Sequence, residues 1–328
     1  MSGWILPLSA VLAAAVGIAG QRSQRLEVSI VRNRSEGPKV MATGGLAARL
    51  AELGCDIVSS TVVELPPEDE RQYGAWNKTA LESRQIGRLV AATAGSDLTI
   101  GLLTNCSDLL GMLAGLQHPA PTSKAARRSG PAGLAGVRPR RVGLVWIDTH
   151  ADFNTPETTL SGMLGGMPVA IAAGMCLTRH RLTAGLDPAL PTRYIVMAGL
   201  RDVDPLEQEL LDRSECEFLT VDDIRRRSEA ITRQIARLAG LTDVIYVHID
   251  MDVIDPSEVA GHPLTAPEGP TSAELAAALE IVFRHPKVEA LGIASLPYGE
   301  RDKDHRSLDA AYRLIDGAVA GVRSRTPR

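Results

Sequence analysis

Residues 146–161 read Trp146-Ile-Asp-Thr-His-Ala-Asp-Phe-Asn-Thr-Pro-Glu-Thr-Thr-Leu-Ser161, and this stretch sets charged side chains where an apolar, strand-like run ends. Asp148, His150 and Asp152 occupy alternate positions in it. Side chains of a strand point alternately to its two faces, so we expect these three to point the same way.

A second acidic pair ends another apolar run further along the chain. The sequence His248-Ile-Asp-Met-Asp252 follows Asp243-Val-Ile-Tyr-Val247, and the same alternation places Asp250 and Asp252 on one face. Together, the two motifs offer four carboxylates and one imidazole at the ends of two strands.

The four carboxylates would repel one another, and without cations between them they would take up protons or separate. A pair of divalent metal ions removes that conflict. Carboxylate oxygens with a single imidazole suit manganese or magnesium better than the thiolate-rich sites of structural zinc. The alternative is that these are ordinary turn residues, because turns after strands favour Asp.

The rest of the chain alternates short apolar runs with longer helical stretches, which predicts an α/β fold with a mostly parallel sheet covered on both faces. The candidate strands are residues 26–31, 56–62, 98–103, 142–148, 194–198, 244–250 and 290–294. The candidate helices are residues 44–53, 76–93, 108–116, 205–214, 228–239, 272–283 and 307–321. The ligand crevice of such a sheet lies outside the carboxyl ends of its strands, where both motifs are expected.

Composition indicates an ordinary globular protein whose partners are small molecules. The 328 residues carry a net charge of −4 without a basic stripe, so we expect neither nucleic acid nor an acidic membrane as a partner. Four cysteines, at positions 55, 106, 176 and 216, show no CxxC or zinc-like spacing, which favours reduced thiols in a cytoplasmic protein.

Two segments stand apart from this pattern. Residues 1–25 are mostly apolar and are interpreted as a signal peptide, an anchor, a first strand or an extension; a signal peptide would make the protein exported or periplasmic. Residues 26–328 are then a single catalytic domain. Residues 117–141 are rich in Pro, Ala, Gly and Arg, which is typical of a surface loop.

The two acidic motifs resemble those of the ureohydrolase family, which contains arginases, agmatinases and formiminoglutamases and has a three-layer α/β/α fold. Asp148, His150 and Asp152 are similar to the family's Asp-x-His-x-Asp, and Asp250 and Asp252 to its second Asp-x-Asp. The resemblance extends from about residue 26 to the C terminus. It implies two Mn²⁺ ions bridged by Asp148 and Asp250, with Asp152 on one ion and His150 and Asp252 on the other.

A third family motif, Gly-Gly-Asp-His-Ser, is replaced by Leu103-Thr-Asn-Cys-Ser107, so that Cys106 stands where the remaining histidine ligand would be. A thiolate can bind a divalent ion, although sulfur is softer than manganese prefers. The alternative is a buried thiol beside a site that holds one ion weakly. A hydroxyarginine-hydrolysing branch of the family is similar in having Cys here and in the sequence Asn154-Thr-Pro-Glu-Thr-Thr159.

The resemblance also implies substrate contacts. Asn154 and Ser161 match the residues with which arginases hold the α-carboxylate, and Asp204 matches their α-amino contact. Agmatine lacks the carboxylate, so these residues favour an amino-acid substrate. Each is also a common loop residue that can simply bond the local backbone.

Two departures from the arginase pattern concern the guanidinium end. The histidine thought to shuttle a proton in arginases falls at Gly165, which can carry no proton. A substrate whose departing group is easier to protonate would be less affected, and hydroxyarginine is one possibility. Pro297 lies at the position of the guanidinium-binding glutamate, and Glu300 follows three residues later. Either the loop brings Glu300 in, or the substrate is held differently.

We therefore expect a hydrolase that cleaves arginine or Nω-hydroxyarginine to ornithine plus urea or hydroxyurea, through attack by a hydroxide that bridges the two metals. Asp152 would accept the proton of that hydroxide, and Asp152 and His150 are the expected catalytic residues. His248 is more simply a packed histidine, and His262, in a loop, is a weaker candidate.

Alternatives remain open at this point. They are hydrolysis of another amidino or amide compound, such as agmatine or formiminoglutamate, and a non-catalytic protein that binds an amino acid. Five acidic and imidazole ligands argue against the second alternative, because burying such charges without metal is costly. The family resemblance also implies a homo-oligomer, a trimer or a hexamer.

Overall fold

Eight strands form one sheet in the computed structural model, which describes residues 25–124 and 138–325. The strands are β1 (Leu26–Arg32), β2 (Cys55–Val62), β3 (Leu98–Leu102), β4 (Val142–Ile147), β5 (Ile195–Ala198), β6 (Glu217–Leu219), β7 (Val244–Asp250) and β8 (Val288–Ala294). Their order is β2-β1-β3-β8-β7-β4-β5-β6, and each neighbouring pair is parallel. The predicted parallel α/β sheet is confirmed.

Helices connect the strands and cover the sheet. They are α1 (Glu36–Met41), α2 (Ala47–Glu52), α3 (Pro67–Glu70), α4 (Ala75–Thr93), α5 (Leu109–Gln117), α6 (Pro168–Ala172), α7 (Thr178–Ala184), α8 (Pro205–Asp212), α9 (Val221–Arg226), α10 (Glu229–Leu241), α11 (Ser272–Phe283) and α12 (Arg306–Arg323). A π-helical turn at Ala42–Leu46 joins α1 to α2.

The sheet separates two apolar cores, one on each face. The first core contains side chains of α1, α2, α9, α10, α11 and α12, and the second contains side chains of α4 to α8. Strand β4 shows the alternation: Val145 and Ile147 join the first core, while Leu144 and Trp146 join the second. Because both faces are buried, the central strands read as continuous apolar runs, which is why the sequence revealed them.

The elements that the sequence did not predict are short. Strand β6 has three residues at the edge of the sheet, and α1, α3, α6, α7 and α9 have four to seven residues each. Such segments are too short for a helical or strand periodicity to become visible. The predicted N-terminal segment, up to residue 24, and residues 125–137 of the predicted loop lie outside the described residues.

Two further expectations concern cysteines and membranes. All four cysteines are free thiols, and three of them are buried. In the part of the chain that the structure describes, no helix is both long and apolar enough to cross a membrane.

Helices α4 and α5 pack so closely that glycine is required at the contact. A Cβ atom at Gly115 would lie 2.5 Å from the carbonyl oxygen of Gly87.

We expect Gly115→Ala to lower the free energy of unfolding by about 1–3 kcal/mol, because the helices would have to separate. Gly240 is the matched control, since it is exposed near the end of α10 and a Cβ there meets no atom within 4 Å. Gly240→Ala should be neutral or stabilising by up to about 1 kcal/mol. Urea unfolding measures the free energy of unfolding of both variants. Equal changes in Gly115→Ala and Gly240→Ala would contradict the close packing of α4 and α5.

Candidate metal centre

The predicted ligands converge at one place because the three strands that carry them lie close together in the sheet. Strands β3, β8, β7 and β4 are adjacent in the sheet and parallel, so their carboxyl ends meet at one edge. Cys106 follows β3, Asp148 follows β4, and Asp250 ends β7. Each of these side chains is buried.

Turns, and not strand alternation, bring the remaining ligands in. Strand β4 ends at Ile147, and the Asp148 carboxylate accepts a hydrogen bond from the backbone N–H of His150 (2.7 Å). In the same way Asp250 accepts from the backbone N–H of Asp252 (3.1 Å). Asp152 adopts a left-handed backbone with φ of 49°. The three side chains of the first motif do meet, as predicted. Strand alternation is not the reason, because the chain bends at Asp148 to form an Asx turn.

The ligand atoms lie within contact distance. His150 Nδ1 is 3.4 Å from Asp148 Oδ1 and 3.2 Å from Asp252 Oδ2. The thiol of Cys106 donates to Asp250 Oδ2 at 2.8 Å and lies 3.7 Å from Asp148 Oδ2. The structure thus brings Cys106 into the same cluster as the carboxylates, as predicted for a ligand.

Three overlapping groups of donor atoms could each hold a cation. The groups are Cys106 with Asp148 and Asp152, Asp148 with His150 and Asp252, and Asp250 with Asp252 and His262. The first two groups share Asp148, whose two oxygens face different neighbours. Such sharing is what two adjacent ions with a bridging carboxylate require.

Burial and charge repulsion make the centre unfavourable without cations. Burial, together with neighbouring carboxylates, raises the pKa of Asp148 and of Asp152 well above the usual value. The same causes raise the pKa of Asp250 to about 6. Burial also raises the pKa of Asp252, but the hydrogen bond and charge of His150 outweigh it and lower the pKa overall.

His150 compensates part of this negative charge. Burial disfavours its charged form, but hydrogen bonds to Asp148 and Asp252 raise its pKa to about 11. A metal ligand must be a neutral imidazole, so an ion and a proton compete for this position. Buried oxygen donors, one imidazole and a thiol fit divalent cations, because such ions supply the positive charge that the carboxylates lack.

Hydrogen bonds outside the cluster hold the carboxylates in place. Ser295, which follows β8, donates from its hydroxyl to Asp250 Oδ2 at 2.6 Å and has a left-handed backbone with φ of 62°. Thr149 donates from its hydroxyl to the backbone oxygen of Asp252. Neither residue was predicted from the sequence, because Ser and Thr near a strand end carry no distinctive pattern.

A cleft of about 850 Å³ opens above the cluster, and all of the predicted substrate residues line it. Asn154 is buried and donates to Asp204 Oδ2 at 3.0 Å, while its own oxygen accepts from Thr158. Asp204 immediately precedes α8, so its position is fixed by the start of that helix. The structure therefore places Asn154 and Asp204 together.

Ser161 and Glu300 occupy the outer part of the cleft. The Ser161 hydroxyl is exposed and accepts from the backbone N–H of Met163. The Glu300 side chain is 89% exposed and pairs with Lys303 at 2.6 Å, so in this conformation it points to solvent. Pro297 also lines the cleft, and a Cβ atom at Gly165 would meet no atom within 4 Å.

His248 and His262, the two other histidines considered from the sequence, lie in different surroundings. His248 is fully buried, stacks on Trp146 and bonds Tyr246 through Nδ1 at 2.8 Å, and burial lowers its pKa to about 3. His248 is therefore a packed histidine, as predicted from the sequence. His262 lies in the cleft wall with Nε2 3.6 Å from Asp250 Oδ1, closer to the centre than the sequence suggested.

Comparison with known proteins agrees with this geometry. The sequence model of the arginase family matches residues 121–315, more than half of the chain. An arginase of Entamoeba histolytica is 29% identical over 244 residues, which cover 71% of this chain and 75% of that protein. The crystal structure of Entamoeba histolytica arginase in complex with L-ornithine has a TM-score of 0.73 at 22% identity and covers 91% of this chain and 99% of that one.

The fold is also similar to that of a formimidoylglutamase from Bacillus subtilis. That structure has a TM-score of 0.65 at 16% identity, and the match covers 92% of this chain and 88% of the formimidoylglutamase chain. The family match includes both acidic motifs, whereas Cys106 lies before its first residue.

Metal binding is expected to release protons, because the metal-free centre holds more of them than the loaded one. At pH 8 the pKa of about 11 keeps His150 protonated, and the ion must displace that proton. The affinity for Mn²⁺ should therefore rise as the pH rises. Calorimetric titration at pH 8 in two buffers of different ionisation enthalpy should show release of at least about one proton per chain. His150→Asn should release fewer protons when Mn²⁺ binds. Heats of binding that do not depend on the buffer would contradict the protonation of His150 in the metal-free centre.

Proposed function

The chain belongs to the arginase family, whose members are metal-dependent ureohydrolases, and we propose that it hydrolyses the guanidino group of an α-amino acid, with Nω-hydroxy-L-arginine preferred to L-arginine. The products would be L-ornithine and hydroxyurea or urea. The observation that carries the proposal is one cleft that joins the carboxylate cluster at its floor to the bonded pair Asn154 and Asp204 on its wall.

We propose that two Mn²⁺ ions occupy the centre. Cys106, Asp148, Asp152 and Asp250 would hold one ion, and Asp148, His150, Asp250 and Asp252 the other. When bound, two such ions lower the pKa of water, orient it towards the guanidino carbon and stabilise negative charge that develops there.

Asp152 is the group proposed to receive the proton of the attacking water. It is buried, belongs to the donor group with Cys106 and Asp148, and lines the cleft. Its backbone oxygen accepts from the N–H groups of Val169 and Ala170 at the start of α6, which fixes its position. A base held so rigidly needs little reorganisation before proton transfer.

The α-amino-acid end of the substrate is assigned to the wall of the cleft. Asp204 offers a carboxylate to the ammonium group, and the Asn154 amide and Ser161 hydroxyl offer donors to the carboxylate. The cleft is also lined by Asp202, Glu207 and Glu300, so its negative charge attracts a cationic guanidinium. Glu300 would have to leave Lys303 to contact the substrate.

The preference for the hydroxylated substrate follows from chemistry at the guanidino carbon. The departing amine is the same for both substrates, so the hydroxyl group acts on the attack and not on the departure. An N-hydroxyguanidine is less basic than a guanidine because the oxygen withdraws electron density. More of it is uncharged at neutral pH, and its carbon is a better electrophile. The attack is therefore easier with this substrate, whereas the missing side chain at position 165 affects the departure of the same amine from both substrates.

The first test is the metal content of the purified protein and product release from three substrates. Mass spectrometry should find about two Mn²⁺ per loaded chain, and Nω-hydroxy-L-arginine should be cleaved faster than L-arginine, with agmatine poorest. Asn154→Ala should raise KM for both amino acids about 10-fold or more and leave that for agmatine unchanged, because only the amino acids have an α-carboxylate. Equal losses for all three would mean a structural role for Asn154, and no release from any of them would overturn the proposed function.

Gly165→His tests whether the missing side chain limits cleavage of arginine. The cleft has room for it, so the variant should fold and should raise the kcat for L-arginine about 100-fold, at the lower end of what general acid catalysis contributes. Gly166→His is the matched control, because that position is equally open. A similar change in both variants, or none in either, would exclude a proton shuttle at position 165 as the limiting factor.

A further inference from the structure

We infer that His262 is the residue that selects a hydroxylated guanidino group, through a hydrogen bond donated by Nε2 to the hydroxyl oxygen of the substrate. This inference rests on the proposed function and deepens it. His262 lies in the loop between β7 and α11, and only 6% of its side chain is exposed. It lines the cleft beside Asp250, at the end where the guanidino group would be attacked.

A backbone contact fixes which ring nitrogen of His262 carries the proton. The N–H of Leu264 donates to His262 Nδ1 at 3.3 Å, so Nδ1 must present its lone pair. The proton of the neutral ring is therefore on Nε2, the nitrogen that faces the cleft cluster. The loop thus presents a hydrogen-bond donor to the substrate and not an acceptor.

The same contact argues against His262 as a metal ligand, although its ring lies in a donor group with Asp250 and Asp252. A histidine that ligates through one nitrogen donates its other N–H to an acceptor. Here the partner of Nδ1 is itself a donor, so ligation through Nε2 would set two N–H groups against each other. His262 is therefore better suited to hydrogen bonding than to holding an ion.

Among residues 25–124 and 138–325, no acceptor lies within hydrogen-bond distance of His262 Nε2. The nearest acceptor, Asp250 Oδ1, is 3.6 Å from Nε2, which is longer than a hydrogen bond. Asp250 is already engaged by Ser295, Cys106 and the backbone N–H of Asp252. The His262 donor therefore remains available to a substrate atom.

The two candidate substrates differ in what they can offer to such a donor. Protonated arginine presents only N–H groups at its guanidinium end, so the His262 donor would face other donors in a buried place. Nω-hydroxyarginine presents an oxygen with lone pairs. A buried donor left unpaired is unfavourable, and a site built around a substrate hydroxyl rejects the analogue that lacks it.

The experiment compares His262→Ala and His262→Gln with the wild-type enzyme, all loaded with Mn²⁺. His262→Ala should lower kcat/KM for Nω-hydroxy-L-arginine about 10-fold to 100-fold. It should leave kcat/KM for L-arginine unchanged or raise it, because the donor that faces the guanidinium is removed. His262→Gln keeps an N–H donor at a similar reach and should restore most of the hydroxyarginine activity. The metal content and inhibition by L-ornithine, which has no hydroxyl group, should be the same in all three proteins.

The outcomes separate this inference from the proposed function. Wild-type cleavage of hydroxyarginine with equal losses for both substrates in His262→Ala would overturn the assignment of His262 alone. Loss of one metal in that variant would instead identify His262 as a ligand and would also overturn it. If the loaded wild-type protein cleaves neither substrate, the proposed function fails, and the role of His262 fails with it.

Discussion

Repulsion among four buried carboxylates is the constraint on which the rest of this centre depends. Asp148, Asp152, Asp250 and Asp252 are withdrawn from water at the middle of the sheet, where each charge loses hydration and acts on the others through a medium of low polarity. Protons and the His150 cation offset part of the charge in the metal-free chain. Divalent ions offset it more fully, so metal binding contributes directly to the stability of the folded centre.

The sheet makes this concentration of charge possible because it prevents the carboxylates from moving apart. Strands β3, β8, β7 and β4 are bonded side by side in the interior of the sheet, between two apolar cores. Cys106, Ser295, Asp250 and Asp148 follow or end these strands in that order. The floor of the cleft is therefore built directly on the central strands, and the short turns at Asp148 and Asp250 add the remaining ligands.

The sequence predicted what depends on local patterns and missed what depends on loop conformation. Central strands such as β4 and β7 were visible because both of their faces are buried, and Asp148 and Asp250 were visible as charges at the ends of apolar runs. The bend at Asp148 was missed, because an Asx turn and a continuing strand share the same alternating sequence. His262 was underrated because its distance to Asp250 depends on how a whole loop folds back across the cleft.

The division between floor and wall also explains why the unusual residues favour one substrate. In the proposed function Cys106 would add a negative thiolate to the donors, where an imidazole would be neutral, and so weaken the polarising effect of the ions. Gly165 supplies no proton relay. The thiolate would slow attack on a basic guanidinium, whereas a hydroxyguanidine is less basic and more readily attacked. The missing relay would slow departure of the same amine from either substrate. In its inferred role, His262 would add a contact that only the hydroxylated group can accept, so floor and wall would favour the same substrate for different physical reasons.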